Sequence, residues 1–143
     1  MKAEKSVLIT ILAVISVLVL ILPLSACSNS FPYEGSVTGK WSGQLTIIGR
    51  AIPVGGTMSI KIDSKGVVSG TIASSSGGAS TTTINAQVDS NGNLTGTVSF
   101  ALGGTTFVSN WQGKLTGSGN SLNMQGTWTS QHGSGTFTGT SSK

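Results

Sequence analysis

Asp63-Ser64-Lys65-Gly66-Val67-Val68-Ser69-Gly70-Thr71-Ile72 recurs as Asp89-Ser90-Asn91-Gly92-Asn93-Leu94-Thr95-Gly96-Thr97-Val98, at an offset of 89 − 63 = 26 residues. Each copy opens with turn chemistry: an Asp that can bond its own local backbone and a Gly that supplies positive φ. Each then alternates apolar and polar residues with period two, the signature of a strand with one buried face. A fainter third copy, Gly126-Thr127-Trp128, follows the turn Gly117-Ser118-Gly119-Asn120. The unit of repetition is therefore a hairpin, and a hairpin with one apolar face cannot bury that face alone.

The same alternation extends in both directions. Trp41, Gly43, Leu45 and Ile47 share one face of a first strand, with Lys40, Ser42, Gln44 and Thr46 opposite. Met58, Ile60 and Ile62 follow, and Ile84, Ala86 and Val88 lie between the two repeats. Beyond them come Phe107, Trp111, Gly113 and Leu115, then Leu122, Met124, Gly126 and Trp128, then Gly135, Phe137 and Gly139. The spacing predicts an all-β, antiparallel up-and-down meander of about eight strands and leaves no room for a helix. Closing such a sheet into a small barrel removes the edges that Thr-rich, charge-poor strands would otherwise offer for aggregation; a β-sandwich is the alternative. Glycines on the inward face, among them Gly43, Gly70, Gly96, Gly113, Gly126 and Gly139, imply either tight strand coiling or space for bulky neighbours.

Upstream, Lys2 and Lys5 precede an apolar run from Ser6 to Leu22, and Pro23 interrupts it just before small residues. This is the layout of a secretion signal; an uncleaved anchor is the rival reading, because the run is nearly long enough to cross a bilayer. Leu24-Ser25-Ala26-Cys27 is similar to the bacterial lipobox. The resemblance implies cleavage before Cys27, a lipid on its sulfur, and a protein held on a cell membrane or outer membrane outside the cytoplasm. Residues 1–26 would then be the signal, 27–38 the lipidated cysteine and a short tether, and 39–143 a single β-domain. In the tether, Phe31 and Tyr33 are expected to pack beneath that domain, with insertion toward the lipid headgroups as the alternative. Cys27 is the sole cysteine, so neither an internal disulfide nor a cysteine-based zinc site can form.

Downstream of Ala26 the charges are Lys40, Arg50, Lys61, Lys65, Lys114 and Lys143 against Glu34, Asp63 and Asp89. They are scattered rather than clustered, which argues against a nucleic-acid partner. Gly39-Lys40-Trp41 resembles the G-x-W of lipocalins and the wider calycin group, in which the Trp plugs the closed end of a barrel. Val37 to Trp41, Met58-Ser59-Ile60 and Ser64 to Thr71 are also similar, in order and spacing, to the first strands of the avidin family. Where that family places a ligand-binding Asn and Tyr, this chain has Gly43 and Ile72, so biotin binding is not expected.

No catalytic constellation is present in the sequence. His132 lies in a turn without a neighbouring carboxylate, Asp63 and Asp89 stand alone before Ser-x-Gly rather than in a calcium loop, and no nucleophile elbow or P-loop occurs. Neither an enzyme nor a cofactor or metal is expected. Function is sought instead in the ends of the barrel. In a meander, the turns at 63–66, 89–92 and 117–120 share one end with the start of the first strand, close to the tether. The loops at 49–55, 74–80, 102–104 and 130–134 share the other, membrane-distal end. Trp41 is expected to plug the tethered end as a barrel floor. At the distal mouth Ile47, Met58, Ile72, Phe100, Phe107 and Trp128 would line an opening overhung by Arg50 and Ile52. Two functions follow: a binding module for a small apolar or amphipathic ligand at that mouth, or a filled-core adhesion, assembly or inhibitor domain that grips an envelope protein or polymer through its outer loops.

Overall fold

The computed structural model describes residues 30–75, 82–102 and 105–141. The export segment and Cys27, most of the 74–80 loop and the centre of the 102–104 loop lie outside the described residues. Eight antiparallel strands follow one another around a closed barrel: β1 Gly35–Ile47, β2 Arg50–Ile62, β3 Val67–Ser74, β4 Thr82–Val88, β5 Asn93–Leu102, β6 Thr105–Thr116, β7 Asn123–Ser130 and β8 Gly133–Ser141. Helical structure is confined to one 3₁₀ turn, Gly119–Ser121, among the described residues. The fold is the meander barrel expected from the period-two pattern, and it is consistent with a calycin-like fold.

Two boundaries differ from expectation. β1 begins at Gly35, so the last residues assigned to the tether are the first of the barrel, and Val37 is fully buried. The stretch at 49–55, expected as a loop, is strand: β2 starts at Arg50 and pairs with β1 along its whole length, from Ile47↔Arg50 to Gly35↔Ile62.

The register decides how wide the barrel is. Starting at Ile62 of β2, the path of paired residues runs Val68, Ala86, Gly96, Trp111, Trp128, Gly135, Gly43 and back to β2 at Val54, a stagger of eight residues for eight strands. A shear equal to the strand number closes a narrow barrel whose interior is filled by tiers of four side chains, each tier drawn from alternate strands. The tiers here are distinct. Val37, Val68, Leu94 and Met124 form one near the tight-turn end. Gly39, Gly70, Gly96 and Gly126 form another above it. Met58, Ile84, Trp111 and Phe137 come next, followed by Trp41, Ile72, Val98 and Trp128.

The glycine tier makes room for the aromatic tiers above it. A Cβ at Gly126 would lie 2.3 Å from Phe137 Cζ, and one at Gly39 would lie 2.9 Å from Met58 Cε. Higher up, a Cβ at Gly43 would lie 2.4 Å from Trp128 Cζ2, and one at Gly56 would lie 2.9 Å from Trp41 Nε1. Glycines below and above thus flank the two tiers of rings, which lets the rings reach the barrel axis at normal packing density.

Trp41 does not form the floor. β1 enters the barrel at Gly35, so Trp41 is already well inside the strand, and the stagger lifts it to the level of Trp128, with which it makes an edge-to-face contact at 6.1 Å. The tight-turn end is closed instead by Ile62, Val88, Leu115 and Leu122, all buried. Phe31 and Tyr33 pack against this core from outside, as expected of the tether aromatics.

Candidate functional site at the outer end

Interior space is the first question for any ligand site. The two crevices lined by the aromatic tiers have volumes of about 10 and 20 Å³. The larger is lined wholly by apolar groups such as Met58, Ile72, Ile84 and Trp111. A void of this size holds about one water at most, and an apolar one stays dry.

The polar groups inside also find their partners within the chain. The Trp41 indole N–H donates to the Ala73 carbonyl at 3.1 Å, and that of Trp128 donates to the Ser42 carbonyl at 3.1 Å. Trp111 donates to the Ser109 hydroxyl at 2.9 Å, which donates in turn to the Val98 carbonyl at 3.0 Å. Among the described residues no buried side-chain N or O atom lacks a partner. An orphaned donor aimed at the axis would have marked a ligand headgroup; each indole N–H here is committed to the barrel itself.

The residues expected to line the mouth therefore separate into three groups. Met58, Ile72 and Trp128 are buried core residues in the same tiers as Trp111 and Trp41. Phe100 and Phe107 lie at the upper rim, stacked at 5.5 Å, with Phe107 only 8% exposed and its other edge against the His132 ring at 5.6 Å. Ile47 is half-buried against the core, whereas Arg50 and Ile52 stand exposed above the rim. They belong to the outer part of the β1–β2 hairpin, which runs on past its neighbours. β8 stops pairing with β1 at Leu45↔Gly133, and β3 stops pairing with β2 at Gly56↔Ser74. Beyond those points two strands continue alone as a projecting ribbon.

That ribbon carries two of the exposed large apolar residues, the others being Val67 on β3 and Val108 on β6. Ile52 is 41% exposed and Ile48, at the very tip, is 96% exposed. The turn is Ile48-Gly49, and both residues have positive φ, 50° and 70°. This is the type I′ geometry that suits a two-residue hairpin, and it normally selects Asn-Gly because the first central residue must adopt the left-handed region. Ile48 is the only non-glycine residue with positive φ among the described residues. A β-branched side chain in that region costs about 1–2 kcal/mol. The tip thus combines backbone strain with an aliphatic side chain held out in water, and neither contributes to the stability of the barrel.

Charge is also uneven along the axis. Glu34, Asp63 and Asp89 lie in the strap and turns of the tight end, whereas Arg50 is the one Lys, Arg, Asp or Glu among the described residues on the projecting ribbon. Pro53 sits in the stretch of β2 that lacks β3 as a neighbour. A residue without an N–H is tolerated at such an edge and blocks strand addition there.

Ile48 was absent from the residues expected to act, because the run Ile47-Ile48-Gly49-Arg50 lacks the Asn-Gly signature and places the bend later in the chain. The signal available was an Ile-Gly pair between two alternating segments, a turn with the wrong first residue.

One further irregularity lies in the wall. Among the described residues, β3 and β4 pair only at Val67↔Gln87 and Val68↔Ala86. Higher up the join is held by the Thr82 hydroxyl, which donates to the Ile72 carbonyl at 2.9 Å in place of a ladder bond. Gly70 is exposed at this seam, in front of the 20 Å³ crevice.

No cluster of three His, Cys, Asp or Glu side chains that could hold a metal occurs among the described residues, and no described helix is long and apolar enough to cross a membrane. No family model matches the chain, and no curated protein does.

Proposed function

We propose that this protein is a lipid-anchored, extracytoplasmic display module: a filled barrel, tethered through Cys27 at its tight-turn end, that presents the outer rim and the β1–β2 ribbon to another protein of the cell envelope. The observation that carries this reading is the contrast between the two ends of the apolar inventory. Inside, among the described residues, the aromatic tiers line crevices of about 10 and 20 Å³. Outside, Ile48 and Ile52 stand exposed on the far part of the β1–β2 ribbon, while Ile47 and Val54 of the same ribbon pack against the core. A drug-sized ligand needs a pocket of about 300 Å³ or more, so apolar recognition falls to the outer surface. The Leu24-Ser25-Ala26-Cys27 motif supports the anchor.

The second reading, a small apolar ligand at the mouth, draws on the stacked Phe100 and Phe107 pair, of which Phe100 is half-buried. Native mass spectrometry of residues 28–143 recovered from cell extract separates the two. The display module is recovered at its bare mass; a reproducible small-molecule adduct, lost on Phe100→Ala, would sink it. Palmitate labelling of the full chain, abolished by Cys27→Ala, tests the anchor independently.

A further inference from the structure

We infer that Ile48 is a pre-set knob that seats in an apolar pocket on a partner protein, with Arg50 placed beside a carboxylate at the rim of that pocket. This rests on the reading of the outer end as a protein-binding surface and names what that surface recognises.

Three features of the ribbon converge on this inference. The first is the backbone. Ile48 occupies a left-handed turn position, φ 50°, at which Asn would be unstrained, and its side chain is 96% exposed. Strain that the fold does not need, at a residue the core does not touch, marks a position kept for what it contacts. The second is the kind of contact. A bilayer accepts an aliphatic group in any orientation and gains nothing from a fixed one. A pocket in a protein rewards a single side chain held in one direction, because the ordering cost is met before binding. The Gly49 turn and the cross-strand pairs Leu45↔Ile52 and Ile47↔Arg50 hold that direction.

The third is charge and mode. Arg50 stands alone on the ribbon with no carboxylate there to pair it, and all three described carboxylates are at the far end of the barrel. A partner surface carrying Asp or Glu beside the pocket complements it and steers the encounter. Pro53 on the open edge of β2 excludes the competing mode, in which the ribbon would add a strand to a partner sheet. Recognition therefore runs through side chains.

The test places a photo-reactive p-benzoylphenylalanine at Ala51, which is exposed on the ribbon and leaves Ile48 intact, in the full chain expressed in its own cells. The expected result is an adduct with one protein, mapped by mass spectrometry to an apolar pocket that has an Asp or Glu at its edge. Adding Ile48→Asn should lower the adduct yield about tenfold or more, the loss of one buried aliphatic side chain. The same substitution should raise the melting temperature of the isolated protein by about 3–6 °C, because Asn-Gly suits the turn. Arg50→Asp should lower the yield with no change in melting temperature.

An adduct that forms equally well with Ile48→Asn overturns the knob and leaves the outer end a protein-binding surface. An adduct to lipid or to a second copy of the chain overturns the protein pocket, as does Ile48-dependent co-sedimentation with vesicles of phosphatidylcholine and phosphatidylglycerol. Absence of any protein adduct from both Ala51 and His132 removes the display reading itself.

Discussion

Trp111 and Phe137 stack with ring centroids 4.4 Å apart and planes 20° from parallel, and the Phe137 ring reaches down to within 2.3 Å of where a Cβ on Gly126 would stand. The stack exists because the tier below it has no side chains. Gly126→Ala should therefore cost about 3 kcal/mol or more, since the new methyl would also meet the Gln112 carbonyl oxygen at 2.3 Å, and backbone cannot retreat as a flexible side chain can. Urea denaturation together with the near-ultraviolet circular dichroism of the stacked rings measures it. A loss below about 0.5 kcal/mol with an unchanged aromatic signal would mean that the tier is not what makes room for the stack.

The alternation along each strand was legible because successive Cβ atoms point to opposite faces, so Trp41, Leu45, Met58, Ile72 and Phe137 could be assigned inward from spacing alone. Depth was not. It depends on how far each strand slides past the next, and that stagger accumulates around the ring from turns that a local pattern does not measure. Spacing alone therefore puts Trp41 at the floor, whereas it lies level with Trp128. Alternation also turns the glycines inward, but their common level, which makes them a tier, appears only once the register is known. Ile48 escapes the pattern for the opposite reason: its position is decided locally, by a turn whose residues break the usual preference.

Asp89 anchors the second repeat. Its carboxylate accepts the backbone N–H of Asn93 at 2.9 Å, the Asn93 side-chain amide at 2.7 Å and the Asn91 N–H at 2.8 Å, and Lys114 stands nearby. These bonds, the Asn93 N–H foremost, hold its carboxyl below the ordinary value of 3.8. A folded-state value below the unfolded one contributes stability that is complete above about pH 4 and is lost as pH falls through the lower, folded value. The stability difference between the wild type and Asp89→Asn should therefore be constant from neutral pH to about pH 4 and shrink below it. Denaturation curves for the two proteins at a series of acid pH values measure this, and parallel pH profiles would sink the assignment.

The join between β3 and β4 should be the first part of the barrel to open. Amides at 70–72 and 83–85 should exchange with solvent ahead of those in the continuous β6–β7 ladder, because only Val67↔Gln87 and Val68↔Ala86 close the seam below the Thr82 bond. Thr82→Val keeps the shape and removes the donor to Ile72, at a cost of about 1 kcal/mol. Native-state hydrogen exchange should show faster exchange at the seam and an unchanged rate in β6 and β7. Seam amides as well protected as that ladder would show that the wall is closed by something other than the hydroxyl.

Phe31 and Tyr33 form the other fixed point of the molecule. Their rings meet edge to face at 5.7 Å, and each covers the turn glycine of one repeat: Phe31 Cζ lies 3.1 Å from a Cβ position on Gly66, and Tyr33 Cζ lies 2.7 Å from one on Gly92. The repeated Asp-Ser-x-Gly turns are thus seats for the strap that leads into β1. Each ring, being half-buried, should contribute about 1–2 kcal/mol, and their mutual contact should appear as a coupling of about 0.5–1 kcal/mol in a double-mutant cycle of Phe31→Ala and Tyr33→Ala. A chain starting at Ser30 should keep its full resistance to urea, and one starting at Gly35 should lose most of what the pair supplies. With the strap docked, three residues separate Phe31 from Cys27, the proposed lipid site, a span of about 10 Å when extended. On the anchoring proposed at Cys27, the strap would set both stability and standoff, with the tight-turn end toward the membrane and the Ile48 ribbon away from it. Equal urea midpoints for the two truncated chains would break that link, because a strap that contributes no stability could not hold the barrel upright.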